Sequence, residues 1–348
     1  MNDIRTLNIE QLSEWVVARF EKSFRAKQIY EWVWKKNVAS FDKMINLPLS
    51  LREALKNEFS LHKLTLADKQ QSADKSIKYG FVLADNHLIE TVLIPSNNRT
   101  TVCVSSQVGC GLGCHFCATA KLGFKRNLSD YEMYEQIFIA NEESKQHFGH
   151  PISNIVWMGM GEPLLNYENV IKAINHITSP SGLGMSKDRI TLSTSGIAEG
   201  IRRLADDNIR IHLAISLHIA DNELRTTLMP INTTNPLPQL SEALKYYYQK
   251  TKLRISIEYL LLNNINDSIK DAQLLANFCK NFPVKINLIE YNSHAYAAYK
   301  KSNKEKVQSF IDFLERKNLV VNLRLSKGKD IAAACGQLAN EKQINDKI

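Results

Sequence analysis

The chain has 348 residues, with 44 lysines and arginines against 36 aspartates and glutamates, a formal net charge of +8. Single cores stop growing at roughly 250 to 300 residues, so this length predicts one large domain plus an accessory one. The positive balance suits a polyanionic partner, whose phosphates draw much of their affinity from Lys and Arg, although a merely basic soluble protein has the same balance. No apolar run approaches the roughly 18 residues of a membrane helix. The opening MNDIRTLNIEQL also lacks the charged-then-apolar order of a signal peptide, so a cytoplasmic protein with no membrane association is expected. That compartment keeps thiols reduced, and clustered cysteines there are ligands or catalysts before they are structural disulfides.

Residues 1–75 read as a small helical accessory domain. Asn8 with Gln11 forms a capping-box pattern, and Leu12, Trp15, Val16 and Phe20 repeat at helical spacing. A second helix is predicted over FRAKQIYEWVWKK, in which Trp32 and Trp34 read as core, and a third over 49–59. Residues 76–100 form a β-hairpin leading into the core. IKYGFVLADNHLIETVLIP alternates in the way of strands and turns at Asp85-Asn86. Glu90 lies on the second strand, where a carboxylate ordinarily faces water.

The core, residues 101–348, opens with TVCVSSQVGCGLGCHFCATAKLG. Cys110, Cys114 and Cys117 stand at C-x3-C-x2-C spacing on a glycine-rich loop. Closed structural zinc sites need four protein ligands, usually from paired knuckles, and no second knuckle follows. Three thiolates instead suit a 4Fe-4S cluster whose fourth iron stays open. Cys103, in the strand just before, has the ordinary reading of a core thiol.

Beyond this loop helices and strands alternate. Helices are expected at 130–146, 167–177, 198–206, 237–249 and 268–279, and strands at 154–160, 189–196, 210–218, 253–262 and 284–291. With 101–106 as the first strand, the fold class is α/β with six parallel units, a partial (β/α)6 barrel. An open doubly wound sheet has the same pattern. Either arrangement forms its site beyond the carboxyl ends of the strands. A final helix at 303–317 and a strand at 320–326 extend the sheet, followed by KGKDIAAACGQLA. His212 reads as structural, and Cys279 as a small hydrophobe in a helix.

The three-cysteine motif, with Phe116 just before its last cysteine, resembles that of the radical S-adenosylmethionine (SAM) enzymes. Its company narrows the resemblance to the RlmN/Cfr family of RNA adenine methyltransferases: SSQVGC, GMGEPLLN at 159–166, TLSTSG at 191–196, SLH at 216–218, INLIEYN at 286–292 and AACGQLA at 333–339. The likeness covers nearly the whole chain. It implies a radical SAM barrel and an N-terminal domain that docks RNA. It also implies one 4Fe-4S cluster on Cys110, Cys114 and Cys117, with SAM chelating the open iron. Gly161 and Glu162 would meet the amino group of SAM, Ser193, Ser216, Leu217 and His218 its methionine and ribose, and Asn292 the neighbourhood of its adenosine. The glycines of GMGEP are read as letting the backbone approach a ligand. After Asn292 the sequence departs from the usual pattern, so RNA contacts of the 293–303 loop cannot be carried over.

The resemblance also implies a mechanism using two SAM molecules per methylation. Cys335 accepts a methyl group from the first, and a radical derived from the second removes hydrogen from it. The carbon then joins adenine in a protein–RNA adduct, Glu90 takes the ring proton, and Cys103 attacks Cys335 to release the product and leave a disulfide. The expected product is 2-methyladenosine, in 23S rRNA at the peptidyl transferase centre and in tRNA next to the anticodon. A flavodoxin- or ferredoxin-type electron donor and a thiol reductant are implied, and a monomer is expected. The alternatives are a Cfr-like enzyme acting at carbon 8, a radical SAM enzyme on a small substrate, and a zinc-dependent RNA-binding protein without catalysis.

Overall fold

The computed structural model describes residues 1–339; the end of the expected core, residues 340–348, lies outside the described residues. The N-terminal helices are α1 (Ile9–Val17), α2 (Phe24–Tyr30) and α3 (Leu49–Glu58). The expected capping box is formed, with the Asn8 side chain accepting from Gln11 N–H at 2.8 Å and Gln11 Oε1 accepting from Asn8 N–H at 3.0 Å. The second helix does not run uniformly to Lys36: Glu31–Lys35 form a π-helical turn. This wider turn brings both Val33 and Trp34 inward, where they are buried beside Ile29 and Leu55. Trp32 stays at the surface edge, with the Lys36 ammonium 3.4 Å from its ring centroid.

Trp34 also anchors the accessory helices to the core. Its ring stacks on His176 at 3.5 Å, and its carbonyl accepts from Tyr134 Oη at 2.6 Å. His176 in turn meets Tyr30 Oη at 3.1 Å and Asp130 at 3.2 Å. A second tie is ionic. Buried Arg5 donates to Asp3 at 2.8 and 2.7 Å and to Glu135 at 2.9 Å.

The main sheet has ten strands among the described residues. Strands β1 (Thr65–Gln71), β2 (Ile77–Val82), β3 (Leu88–Ser96) and β4 (Arg99–Cys103) are antiparallel to one another in turn. The parallel part continues with α4 (Asp130–Phe148), β5 (Asn154–Trp157), α5 (Tyr167–Thr178), β6 (Ile190–Thr194), α6 (Ala198–Asp206) and β7 (His212–Ser216). It ends with α7 (Leu237–Thr251), β8 (Ile255–Leu261), α8 (Ile269–Phe278), β9 (Val284–Glu290), α9 (Lys304–Arg316) and β10 (Val320–Arg324).

Strand order in the sheet follows chain order from β1 to β10 without reversal. A doubly wound sheet reverses its order at a switch point, so this winding is that of a barrel. Strands β4 to β9 form the partial (β/α)6 barrel, β10 adds a seventh parallel strand, and β1 to β3 continue the sheet on the other edge. Interior strands are covered on both faces, which explains the complete burial of β8. Cys279 is buried after α8 as expected, whereas His212 is exposed at the start of β7.

Candidate active site

Beyond the carboxyl ends of the parallel strands, the loops line a cavity of about 280 Å³. Cys110, Cys114 and Cys117 share its wall with Cys103, Phe116, Gly161, Glu162, Ser193, Ser216, His218 and Cys335. Chain segments separated by more than two hundred residues therefore meet at one place. Glu90, Leu217 and Asn292 lie outside that wall.

The three-cysteine loop is a returned lobe. Residues 107–109 pair with 124–127, and Cys110 N–H donates to Gly123 O at 3.1 Å. Gly109 has φ +70°, and a Cβ there would lie 1.8 Å from Gly123 O, so the closure requires glycine. His115 N–H donates to Leu228 O at 3.0 Å, while its side chain points away and is exposed. The imidazole is not among the groups lining the cavity. Burial pushes the Cys110 thiol up to about 12 and raises Cys114 and Cys117 as well.

Glu162, after β5, is buried. One oxygen accepts from Ser195 N–H at 2.8 Å and Ser195 Oγ at 2.7 Å, and the other from Leu164 N–H at 3.1 Å. Burial raises its carboxyl against these bonds. Gly161 has φ +97°, and the space beside it is taken by Gln107, whose Cβ would lie 2.5 Å from an added Cβ. Close packing against Gln107 thus explains this glycine. Ser193 and Ser216 place their hydroxyls 3.3 Å apart across the ends of β6 and β7.

His218 follows with φ +58°, its Nδ1 accepting from Leu260 N–H at 3.2 Å and its ring edge-on to Phe116 at 5.3 Å. Burial, with the nearby Arg225 charge, lowers its pKa to about 3, so the imidazole is neutral. Leu217 lies beneath, fully buried, in the core. Asn292 donates to Ser326 Oγ at 2.9 Å, and its Oδ1 is buried without a partner. An orphaned acceptor of this kind suits a ligand's N–H or O–H donor.

The C-terminal segment is laid over the cysteine loop. Ala118 N–H donates to Gly336 O at 2.8 Å, Thr119 Oγ to Leu338 O at 2.6 Å, and Gln337 Nε2 to Ser293 O at 2.9 Å. These bonds hold Cys335 exposed at the cavity. Cys103 faces the same cavity from β4, which identifies its side of the strand as the inward one. Burial pushes its thiol up to about 12, with Cys335 adding to the rise and Arg324 opposing it.

Glu90 is buried on β3 rather than solvated. It stands 3.4 Å from the buried Lys78 ammonium and accepts from Ala339 N–H at 2.9 Å. Three further charged groups escaped the sequence reading. Arg324, from β10, reaches across to Glu258 at 3.5 Å and to Met158 Sδ at 3.6 Å. Arg225 is fully buried in the short helix Asn222–Leu228. Alternation along VVNLRLS placed Arg324 on a strand, but only the curvature of the sheet brings it to the cavity.

A family model for the ribosomal RNA large subunit methyltransferase N-terminal domain matches residues 2–61, and one for the radical SAM superfamily matches residues 104–276. A probable dual-specificity RNA methyltransferase RlmN of Christiangramia forsetii is 52% identical over 339 residues, covering 97% of this chain and 96% of that protein. The dual-specificity RNA methyltransferase RlmN of Campylobacter hominis is 42% identical over 360 residues, covering 100% of this chain and 99% of that protein. The crystal structure of a radical SAM methyltransferase from Sphaerobacter thermophilus superposes with a TM-score of 0.91 at 36% identity, covering 97% of this chain and 99% of that one.

The radical SAM superfamily implies a 4Fe-4S cluster and SAM, and the donor set here fits both. No group of three or more His, Cys, Asp or Glu among the described residues is arranged to hold a single metal ion. Three partly buried thiols along one cavity wall suit a cluster that takes one thiolate per iron and offsets the charge that burial disfavours. Asn292 Oδ1, buried just outside that wall, is a further acceptor with no protein donor among the described residues. Identity at this level along nearly the whole length places the chain in the RlmN family of dual-specificity RNA methyltransferases, within the radical SAM superfamily.

Proposed function

We propose that this chain methylates carbon 2 of adenine in 23S rRNA and tRNA, carrying the new carbon on Cys335. The observation that carries the reading is the convergence of Cys335 and Cys103 on the cavity lined by Cys110, Cys114 and Cys117. When bound, the cluster and SAM supply the one-electron chemistry that removes a hydrogen atom from an unactivated methyl group. The protein's part is to hold the carbon, the proton and the leaving sulfur. Cys335 Sγ takes a methyl group from one SAM, and a second SAM is consumed in the hydrogen abstraction. The S-bound methylene carbon, left with an unpaired electron by that abstraction, would bond to carbon 2; the adduct would lose its unpaired electron back to the cluster site that supplied it and its ring proton to Glu90. Cys103 sulfur attacks Cys335 sulfur, breaking the sulfur–carbon bond. The departing carbon gains a proton, and the two thiols become a disulfide.

Cys110, Cys114 and Cys117 would hold the cluster. Gly161, Glu162, Ser193, Ser216, Leu217, His218 and Asn292 would surround SAM, with Phe116 against His218. Neutral His218 and buried Glu162 keep a water-poor wall there, where polar interactions are stronger than in solution. Residues 1–75 form the RNA-docking unit in this reading, 76–100 join it to the core, and the core from 101 carries the C-terminal thiol. No helix among the described residues is long and apolar enough to cross a membrane, and the enzyme acts in the cytoplasm as a monomer. A flavodoxin- or ferredoxin-type donor supplies the electron, and a separate thiol reductant reopens the disulfide.

Anaerobically purified protein, incubated with RNA, reductant and methyl-labelled SAM, is expected to be brown and iron-loaded and to yield labelled 2-methyladenosine on nucleoside mass spectrometry. Label in 8-methyladenosine would reassign the carbon attacked. Colourless, iron-free protein under anaerobic conditions would overturn the reading.

A further inference from the structure

Arg225 is fully buried, yet it forms no ion pair with a carboxylate among the described residues. A guanidinium stripped of water ordinarily requires an opposite charge. Its bonds run to three neutral oxygens instead: Leu217 O at 3.2 Å, Asn232 Oδ1 at 2.7 Å and Ser195 O at 2.6 Å. These orient the side chain and leave its charge uncompensated by any carboxylate among the described residues.

The surroundings indicate where the missing negative charge belongs. His115 N–H, within the three-cysteine loop, donates to Leu228 O at 3.0 Å and clips that loop to the helix carrying Arg225. The guanidinium and Cys114 lie within electrostatic reach of each other. Ser195 links Arg225 to Glu162, accepting from the former through its carbonyl and donating to the latter through both N–H and Oγ. Arg225 therefore stands behind the cysteine loop and the ends of β6 and β7 together.

We propose that Arg225 is the counter-cation of the cluster site, a positioning residue whose buried charge stabilises the electron added to a cluster held by Cys110, Cys114 and Cys117. This rests on the reading that those three thiols hold a cluster. Three thiolates already bring negative charge to the iron site, and reduction adds one more. A buried positive charge favours the reduced form, so its removal moves the midpoint potential to more negative values. If Arg225 only braced three carbonyls, the potential would be indifferent to its charge.

The test compares anaerobic holoproteins of the wild type, Arg225→Gln and Arg225→Lys by iron content and by redox titration followed through the electron paramagnetic resonance of the reduced cluster. At the wild-type midpoint, Arg225→Gln is expected to show a reduced-to-oxidised ratio smaller by roughly tenfold, the size of one partly screened charge at close range. Arg225→Lys, which keeps the charge, is expected to retain most of the wild-type ratio. An Arg225→Gln holoprotein with the wild-type potential overturns the proposal, as does an Arg225→Lys shift as large as that of Arg225→Gln. If Arg225→Gln does not fold or load iron, Asn232→Asp is read instead, since it sets a carboxylate on the intact guanidinium. An unchanged potential in Asn232→Asp overturns the proposal. A wild-type protein without iron would overturn the cluster reading itself, a result distinct from a cluster indifferent to Arg225.

Discussion

The backbone N–H of Ala339 donates to the Glu90 carboxylate at 2.9 Å, joining the segment that carries Cys335 to the second strand of the hairpin. The bond spans 249 positions of sequence and sets the proposed base and the methyl carrier in one frame. Lys78 lies 3.4 Å from the other carboxylate oxygen. Glu90→Gln preserves size and the acceptor for Ala339 N–H but removes the basic oxygen. The variant is expected to form the Cys335 S-methyl group and the RNA adduct, and to lose product formation by at least about a hundredfold, the usual scale of a general base. Mass spectrometry of the protein and of digested RNA checks both halves. Product at the wild-type rate would remove Glu90 from the proton transfer.

Cys335→Ala separates radical generation from carbon transfer. Its thiol lies exposed on the cavity, apart from the three cysteines of the loop, so the variant is expected to bind iron and SAM normally. No methyl group should reach RNA, because the carrier is absent. Methylated RNA from this protein would mean direct transfer from SAM, contrary to the scheme.

The junction between the accessory helices and the barrel gives a stability prediction. Arg5 bonds to Asp3 and Glu135, with all three side chains almost fully buried, and also donates to His62 O. Arg5→Met leaves the buried Asp3 carboxylate with no cation and Glu135 with only Lys63 at 3.5 Å, and breaking such a network costs roughly 3 to 5 kcal/mol. Burial alone would raise the Asp3 carboxyl, but the Arg5 bonds and charge prevail and hold it below its ordinary 3.8. A depressed carboxylate contributes stability in full above its unfolded pKa and loses it as pH falls through the folded value. The wild-type advantage over Arg5→Met in urea melts is therefore expected at pH 7 and should shrink below about pH 4. An equal gap at pH 7 and pH 3 would remove the ionic account.

What the sequence made legible was local or periodic. C-x3-C-x2-C spacing and glycine placement outlined the cysteine loop, and the alternation of strands and helices outlined the barrel. Distant partners decided the rest. In NELRTTL, Arg225 looks like a solvated residue on a short helix; its burial depends on carbonyls at the ends of two strands. Glu90 carries the ordinary outward reading of a strand carboxylate, yet β3 is interior to the sheet and the C-terminal segment covers that carboxylate. Gly161 lines the cavity as its glycine-rich loop suggests, but the packing of Gln107 against it was not legible in the sequence. The doubly wound alternative fell only to strand order, which a single sequence does not display.

Cys103 is the residue whose ordinary reading, a packed core thiol, competes hardest with a catalytic one. It is buried at the end of β4, paired in register with Val92 and Val156, and still lines the cavity that exposes Cys335. Burial pushes its pKa up to about 12, so at neutral pH the thiol is held protonated until the site supplies a base or charge. Arg324, the cation opposing that rise, reaches the same wall. If Cys103 is the resolving thiol, Cys103→Ala leaves addition to adenine intact and removes the sulfur that breaks the Cys335–carbon bond. The variant is expected to accumulate a protein–RNA adduct that survives denaturation, migrates as an RNA-dependent band and collapses on nuclease treatment. Loss of a buried thiol should cost only about 1 kcal/mol of stability, so the adduct is read on folded protein. Normal turnover without adduct would return Cys103 to the core.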